Sequence, residues 1–341
     1  MQAWLPDKII MNILITGAFG FVGANLSNAV KTAFNCNLIA LDLKEPEKHD
    51  YDRFFTWNEL DKITLDSTDT IIHLAGKAHD TKNTTGEQTY FDINVGLTQT
   101  IFDYFLKSDA QKFIFFSSVK AAADTVQGEH LTEEAEPSPG TPYGRSKLAA
   151  ENYLLQRFSS PETLNPISIG VPPSALCPQP SAQKLYILRP AMIHGPGNKG
   201  NLNLLFKLVK KGIPWPLGAF GNKRSFTSID NLAFVINQFI ANNIEPCVYQ
   251  VADDEPVSTN RLIELIAGSQ GKKPRIWGIN KKVIRNLAQM GDMLHLPLNS
   301  ERLKKLTESY VVSNQKLKKA LGIENLPVTA EEGMKKTLKS F

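Results

Sequence analysis

The sequence predicts an α/β protein: a doubly wound parallel sheet with a smaller C-terminal substrate domain. Two observations carry this. Short apolar runs rich in β-branched residues alternate with longer helical stretches. A glycine-rich turn joins the first such run to the first helical stretch, as at the opening of a strand–helix–strand unit. With 341 residues, of which 42% are hydrophobic and 21% charged, the chain can bury a sizeable core.

In chain order, residues 12–16 (Asn-Ile-Leu-Ile-Thr) form the first strand, residues 24–34 the first helix, and residues 37–41 the second strand, closed by Asp42. Further buried strands are expected over residues 70–74, 112–116, 185–188 and 248–251, with helices near 89–107, 143–158 and 202–211. Closing helices are expected over 316–321 and 327–338. Residues 159–183 are rich in Pro and Ser and read as a surface loop or insertion. Residues 1–10 read as a loose extension before Met11. The resulting division is a nucleotide-binding domain over 11–190 and a substrate domain over 191–341, with the strand near 248–251 returning to the main sheet.

Charge and composition narrow the function. A net charge of +4 does not call for nucleic acid and suits a diphosphate-bearing substrate. Cys36, Cys177 and Cys247 are odd in number and widely spaced, which shows neither a disulfide framework nor a zinc pattern and fits a reducing, cytoplasmic setting. No histidine–carboxylate cluster has metal spacing, and no metal is expected. No apolar run is long enough for a transmembrane segment, and residues 1–10 lack a signal-peptide core. The C-terminal region is basic, with Lys272, Lys273, Arg275, Lys281, Lys282, Lys304, Lys305, Lys318 and Lys319. Solvated helix faces are the favoured reading, and contact with anionic lipid or an acidic partner is the second.

The strongest local motif is Thr16-Gly17-Ala18-Phe19-Gly20-Phe21-Val22-Gly23. Gly17 permits the tight turn, Gly20 lets the backbone approach a pyrophosphate, and Gly23 lets the helix pack close to the sheet. The helix N-terminus offers unpaired N–H groups to the phosphates. This is a Rossmann-type arrangement, and Asp42 at the end of the second strand completes it by accepting hydrogen bonds from the adenosine ribose. A carboxylate there repels the 2′-phosphate of NADP, so NAD is the expected cofactor, although Lys44 nearby softens the repulsion.

A second motif is Tyr143-Gly144-Arg145-Ser146-Lys147, preceded by Thr141-Pro142 as cap and first turn. Tyr143 and Lys147 share a helical face. A fixed ammonium and a cationic nicotinamide both favour the phenolate, which makes Tyr143 an acid/base near neutral pH. Upstream, the buried run 113–116 delivers Ser117 and Ser118 to the carboxyl edge of the sheet, where open α/β sheets bind ligands. Ser118 can bond a reacting sugar oxygen and share its proton with Tyr143.

The set formed by residues 16–23, Asp42, Ile72-His73-Leu74-Ala75-Gly76, Asn94, Ser117-Ser118, Tyr143, Lys147 and Leu188-Arg189-Pro190 resembles the extended short-chain dehydrogenase/reductases. Within them it looks most like the UDP-glucose 4-epimerase branch of the NAD-dependent epimerases and dehydratases. The resemblance runs from about residue 12 to near the C-terminus and implies a role for each matching position. Leu74, Ala75 and Gly76 would line the cofactor, Asn94 would brace the site, Lys147 would hold the nicotinamide ribose, and Pro190 would sit by the nicotinamide. Ser117 would also lie at the cofactor. Gly195-Pro196-Gly197 would open the substrate region, and Asn201 and Arg224 would bind the diphosphate of a UDP-linked sugar, a guanidinium fork suiting phosphate oxygens. His194 would touch the substrate pocket, whereas His73, closing a buried strand, reads as structural. Relatives commonly dimerise through two helices of each subunit, here 89–107 and 143–158, which implies a homodimer.

The resemblance implies hydride loss from a sugar carbon with Tyr143 taking the hydroxyl proton. A 4,6-dehydratase would carry an Asp-Glu pair after the catalytic hydroxyl; here Val119 and Lys120 follow Ser118, which argues against elimination. Met192, in place of an asparagine, and Lys120 depart from the best-known epimerases and leave the sugar open. A nucleotide-sugar 4-epimerase is favoured, and a UDP-sugar 4-keto reductase of surface polysaccharide synthesis is the alternative. A non-catalytic sensor that kept the fold would have no need of Ser118, Tyr143 and Lys147 together.

Overall fold

The structure is a computed structural model that describes residues 10–66, 69–78, 86–159, 183–198, 200–294 and 299–341. The chain opens with β1 (Met11–Thr16), α1 (Phe21–Ala33), β2 (Cys36–Asp42) and β3 (Arg53–Thr56). It continues through β4 (Thr70–His73), α2 (Glu87–Lys107), β5 (Lys112–Phe116), the short α3 (Val119–Ala122), α4 (Pro142–Ser159) and β6 (Lys184–Pro190). Then come β7 (Met192–His194), α5 (Asn201–Lys210), β8 (Phe226–Ser228), α6 (Ile229–Ala241) and β9 (Val248–Val251). The C-terminal part is helical: α7 (Thr259–Ser269), α8 (Lys281–Leu294), α9 (Ser300–Thr307), α10 (Gln315–Leu321) and α11 (Ala330–Leu338).

Seven strands form one sheet in the order β3-β2-β1-β4-β5-β6-β9, every pair parallel. The chain winds outward from β1 to β3, then crosses back to β4 on the other side of β1 and winds the other way. That reversal leaves a crevice beyond the carboxyl ends of β1 and β4. Both sheet faces are covered, which is why the strands read as continuous apolar runs. Alternate residues serve opposite faces. Ile13, Ile15, Leu38, Ile72, Ile114, Tyr186 and Tyr249 pack with Leu26 and Val30 of α1 and Leu232, Ile236 and Phe239 of α6. Leu14, Ile39, Ile71, Phe113, Phe115 and Ile187 pack with Ile101, Phe102 and Phe105 of α2 and Leu154 of α4.

The strands expected from apolar runs are present, displaced by a residue or two at their ends, and β5 and β9 have the expected bounds. The strand over 248–251 does return to the sheet, beside β6. So does α6, whose apolar face joins the same core as α1, and residue 190 therefore does not separate two cores. What remains outside the sheet is the parallel pair β7–β8 with α5, α7 and α11, and the α8–α9 pair. Most of the 159–183 stretch, Cys177 and residues 1–9 lie outside the described residues.

Candidate active site

The glycine turn is built by steric necessity. Gly17 has φ +65°, and a Cβ there would stand 2.8 Å from the Ala75 backbone. A Cβ on Gly23 would stand 2.4 Å from Ala18 O, so α1 can seat only with glycine at that point. Gly20 is the exposed N-cap of α1 and supplies no side-chain cap, and the first helical bond runs from the Ala24 amide to Gly20 O. The first-turn residues Phe21, Val22 and Gly23 therefore have no side chain capping their amides, which fits a pyrophosphate as the missing acceptor.

Asp42 braces this turn: its carboxylate accepts from the Phe19 amide at 2.9 Å and the Leu43 amide at 2.7 Å. The Phe19 ring packs against His49, Tyr51 and Phe54. Tyr51 places its hydroxyl 3.2 and 3.1 Å from the carbonyls of Ala18 and Gly23, locking the turn from beneath. Its contribution was not legible in the sequence, because it lies well beyond the motif and reaches back across it.

On the other side of the crevice, β4 delivers Leu74, Ala75 and Gly76. Thr16 accepts from the Ala75 amide at 3.1 Å and meets His73 Nδ1 at 2.6 Å. His73 is fully buried, with Nε2 2.9 Å from the Thr98 hydroxyl, and burial holds its pKa well below the usual value. The structural reading of His73 agrees with this geometry. Gly76 is exposed at the crevice, and a Cβ on it would press on Asn94 Oδ1 at 2.8 Å and Lys147 Nζ at 3.3 Å. Asn94, buried on α2, accepts from the Lys77 amide at 2.7 Å and donates to Ser146 Oγ at 2.9 Å, tying α2, α4 and the β4 loop together.

β5 ends in Ser117 and Ser118. Ser118 caps α3, accepting from the Lys120 amide, and is hydrogen-bonded to Tyr143. Lys147, one turn beyond Tyr143 on α4, donates to Phe116 O at 2.8 Å and lies 5.1 Å from the Phe115 ring centre. Ser118, Tyr143 and Lys147 are thus brought together at the carboxyl end of β5. Burial pushes the Tyr143 phenol up, while its bond from Ser118 pulls it down. Burial pushes Lys147 down to about 8, opposed by Glu151. The expectation that Lys147 would favour the phenolate is not met in the protein alone: its ammonium is engaged with a carbonyl, and burial dominates both groups.

Ser117 has a different partner from the one expected. Its hydroxyl donates to buried Glu151, which also forms a fully buried, two-pronged pair with Arg189 of β6. That side chain ties β5 to α4 and β6, and the Ser117 amide donates to Leu188 O at 2.8 Å. Pro190 ends β6 buried, in register with Val251.

In the C-terminal part, Arg224 lies in a segment clamped between Val257 and Tyr310. Its guanidinium donates to Lys305 O, its Nε is buried with no hydrogen-bond partner among the described residues, and Lys120 lies within its electrostatic reach. Glu308 also acts on the Arg224 guanidinium electrostatically. Lys120 itself is held by Asp124 O at 2.9 Å and the Tyr310 ring at 4.1 Å. A cavity of about 560 Å³ adjoins this region, with Asn222, Lys281, Arg285, Lys304 and Ser309 on its wall. Asn201 opens α5, and its side chain lies outside the described residues. His194 is a correction: rather than facing a substrate pocket it is 1% exposed, with Nδ1 2.9 Å from Thr337 Oγ1 and Asp253 behind it. Its strand runs beneath α11, so the ring faces the interior.

A doubly wound sheet with an uncapped glycine turn and a Ser–Tyr–Lys cluster at the same edge defines an extended short-chain dehydrogenase/reductase. Residues 13–252 match the model of the NAD dependent epimerase/dehydratase family. The chain belongs to that family. It is 29% identical to the UDP-glucose 4-epimerase of Vibrio cholerae, over 98% of this chain and 96% of that one. It is 27% identical to the N-acetyl-alpha-D-glucosaminyl-diphospho-ditrans,octacis-undecaprenol 4-epimerase of Escherichia coli O157:H7, over 77% and 73%. Among solved structures, the fold is similar to the UDP-glucuronic acid 4-epimerase from Bacillus cereus in complex with NAD (TM-score 0.69, 17% identity, 97% of this chain and 98% of that one). It is also similar to the UDP-glucose 4-epimerase of Thermotoga maritima with UDP-glucose (TM-score 0.70, 20% identity, 97% and 98%). NAD is the cofactor of this family, whose members include 4-epimerases and dTDP-glucose 4,6-dehydratases.

Proposed function

We propose that this chain is a cytoplasmic, NAD-dependent 4-epimerase of a UDP-hexose or UDP-N-acetylhexosamine, working by transient oxidation at carbon 4. The hydrogen bond between Ser118 and Tyr143, beside the buried Lys147, carries this reading. It is the arrangement a carbinol needs if one group is to orient its oxygen and another is to exchange its proton.

NAD, when bound, would supply a reversible acceptor for the carbon-4 hydride. The residues that would hold it are the first turn of α1, Asp42 at the adenosine ribose, Gly76 and Lys147 at the nicotinamide ribose, and Pro190 beside the ring. Tyr143 accepts the proton of the carbon-4 hydroxyl and gives it back to the epimeric alkoxide. Ser118 orients that oxygen and shares the proton. Lys147 is held in place by its bond to Phe116 O. Arg224, with its unbonded Nε, and Asn201 would take the diphosphate, and the neighbouring cationic cavity suits the nucleotide end. The two residues after Ser118 are no acid/base pair for elimination of water: Val119 is buried and Lys120 is bound to Asp124. A homodimer through α2 and α4, which lie side by side on one face of the sheet, accompanies this reading.

The test is to incubate the protein with UDP-glucose, UDP-N-acetylglucosamine and a 4-keto-6-deoxy UDP-sugar, with and without reduced cofactor. Product of unchanged mass, inverted at carbon 4 by NMR and formed without added reductant, is expected. Product two hydrogens heavier, formed only from the keto sugar with stoichiometric reductant, would establish the 4-keto reductase instead.

A further inference from the structure

Outside the crevice, α8 stands out. It buries Ile284, Ala288 and Gly291 along one stripe. The adjacent stripe, Val283, Leu287, Met290 and Leu294 at helical spacings of four, three and four, is 50%, 47%, 53% and 62% exposed. Met293 and Trp277, just before the helix, are also exposed. Among the described residues nothing covers this apolar surface, and single exposed apolar residues are ordinary whereas a continuous stripe is not.

The charge around the stripe is as one-sided as its hydropathy. Residues 270–306 carry nine Lys and Arg against two Asp and Glu, whereas the whole chain carries 38 against 34. The positive excess of this segment is therefore larger than that of the entire protein, and the remainder of the chain is net acidic. Lys282 lies on α8 itself, beside Lys281 and Arg285, which also line the cavity of about 560 Å³. An interfacial helix has this composition: an apolar stripe to enter the acyl boundary, a cationic polar face for anionic headgroups, and a tryptophan at headgroup depth.

We propose that α8, with Trp277 and the basic residues around it, is a docking surface for an anionic phospholipid bilayer. The helix lies in the plane of the interface and does not span it. A second copy of this chain fits less well, because a symmetric contact would set two strongly cationic faces against each other.

The experiment is co-sedimentation of the full chain with vesicles of phosphatidylglycerol and phosphatidylethanolamine, and with vesicles of phosphatidylcholine alone. Three further proteins run alongside: Leu287→Glu/Leu294→Glu, Lys272→Glu/Lys273→Glu/Lys282→Glu, and Trp277→Phe. Circular dichroism and NAD affinity serve as controls of folding. The unmodified protein is expected to pellet with anionic vesicles at low salt and to be released by high salt, with little binding to phosphatidylcholine. Each multiple variant is expected to bind at least ~10-fold more weakly, in line with the loss of apolar area or of charge at the interface. Brominated lipid is expected to quench the fluorescence of the unmodified protein and not that of Trp277→Phe. No binding to anionic vesicles, equal binding to phosphatidylcholine, or full binding by Leu287→Glu/Leu294→Glu would overturn the proposal. So would an oligomer in sedimentation equilibrium that this last variant dissociates, which would assign the stripe to a second copy. Polyglutamate binding as tightly as the vesicles, and indifferently to Leu287→Glu/Leu294→Glu, would assign the charge to an acidic protein and also overturn it.

Discussion

Tyr143 sits where burial holds its proton on, and a hydrogen bond with Ser118 opposes that. On the proposed mechanism, its base form would draw on the positive charge of bound oxidised cofactor. Tyr143→Phe is expected to lower turnover by at least ~100-fold while leaving NAD affinity, read by calorimetry, nearly unchanged. Activity close to that of the unmodified protein would remove Tyr143 from the chemistry. Lys147 gives a second expectation, in stability. Its folded pKa of about 8 lies below the ordinary 10.5. Below about pH 8 the folded protein carries a buried ammonium that the unfolded chain keeps in water. Between about pH 8 and about pH 10.5 the unfolded chain binds more protons, so this penalty is relieved as pH rises. Comparing urea midpoints of the protein and of Lys147→Met across this range, the difference should shift steadily in favour of the unmodified protein with rising pH. A constant difference would mean that Lys147 is not buried as a charge.

At the scale of elements, α4 joins chemistry to architecture. Tyr143 and Lys147 stand on its first turns and Glu151 on the next, where it takes the Ser117 hydroxyl and the Arg189 guanidinium. The pair is fully buried, so removing one partner strands the other. Glu151→Ala is expected to lower unfolding free energy by about 3–5 kcal/mol, read from urea titration, and Glu151→Ala/Arg189→Met to recover a large part of it. Equal stability of the single and double variants would mean that the cost lies in packing and not in the stranded charge.

At the scale of the molecule, the C-terminal helix closes the part outside the sheet. Met334 is fully buried among residues of α5, α7 and β8, and a Cβ on Gly333 would stand 2.6 Å from Ser228. Met334→Ala is expected to cost about 2–5 kcal/mol in a denaturation experiment while NAD affinity holds, because the nucleotide crevice is formed by the opposite half of the chain. Parallel loss of NAD affinity would mean that the two halves unfold as one.

The sequence by itself determined the parallel sheet, since strands covered on both faces must be apolar throughout, and it determined the glycine turn, whose backbone has no room for a side chain. It also marked Ser118, just past β5, and Tyr143 and Lys147, whose spacing on α4 is local. Only the tertiary structure decided what depends on distant contacts. Tyr51 locks the turn from the loop before β3, the Ser117 hydroxyl turns to Glu151, and His194 faces inward because α11 packs over it. It also decided that α6 joins the core of the main sheet, and that among the described residues half of the apolar arc of α8 stays uncovered. A periodic pattern shows that a helix has an apolar face, but not how much of that face the rest of the chain reaches.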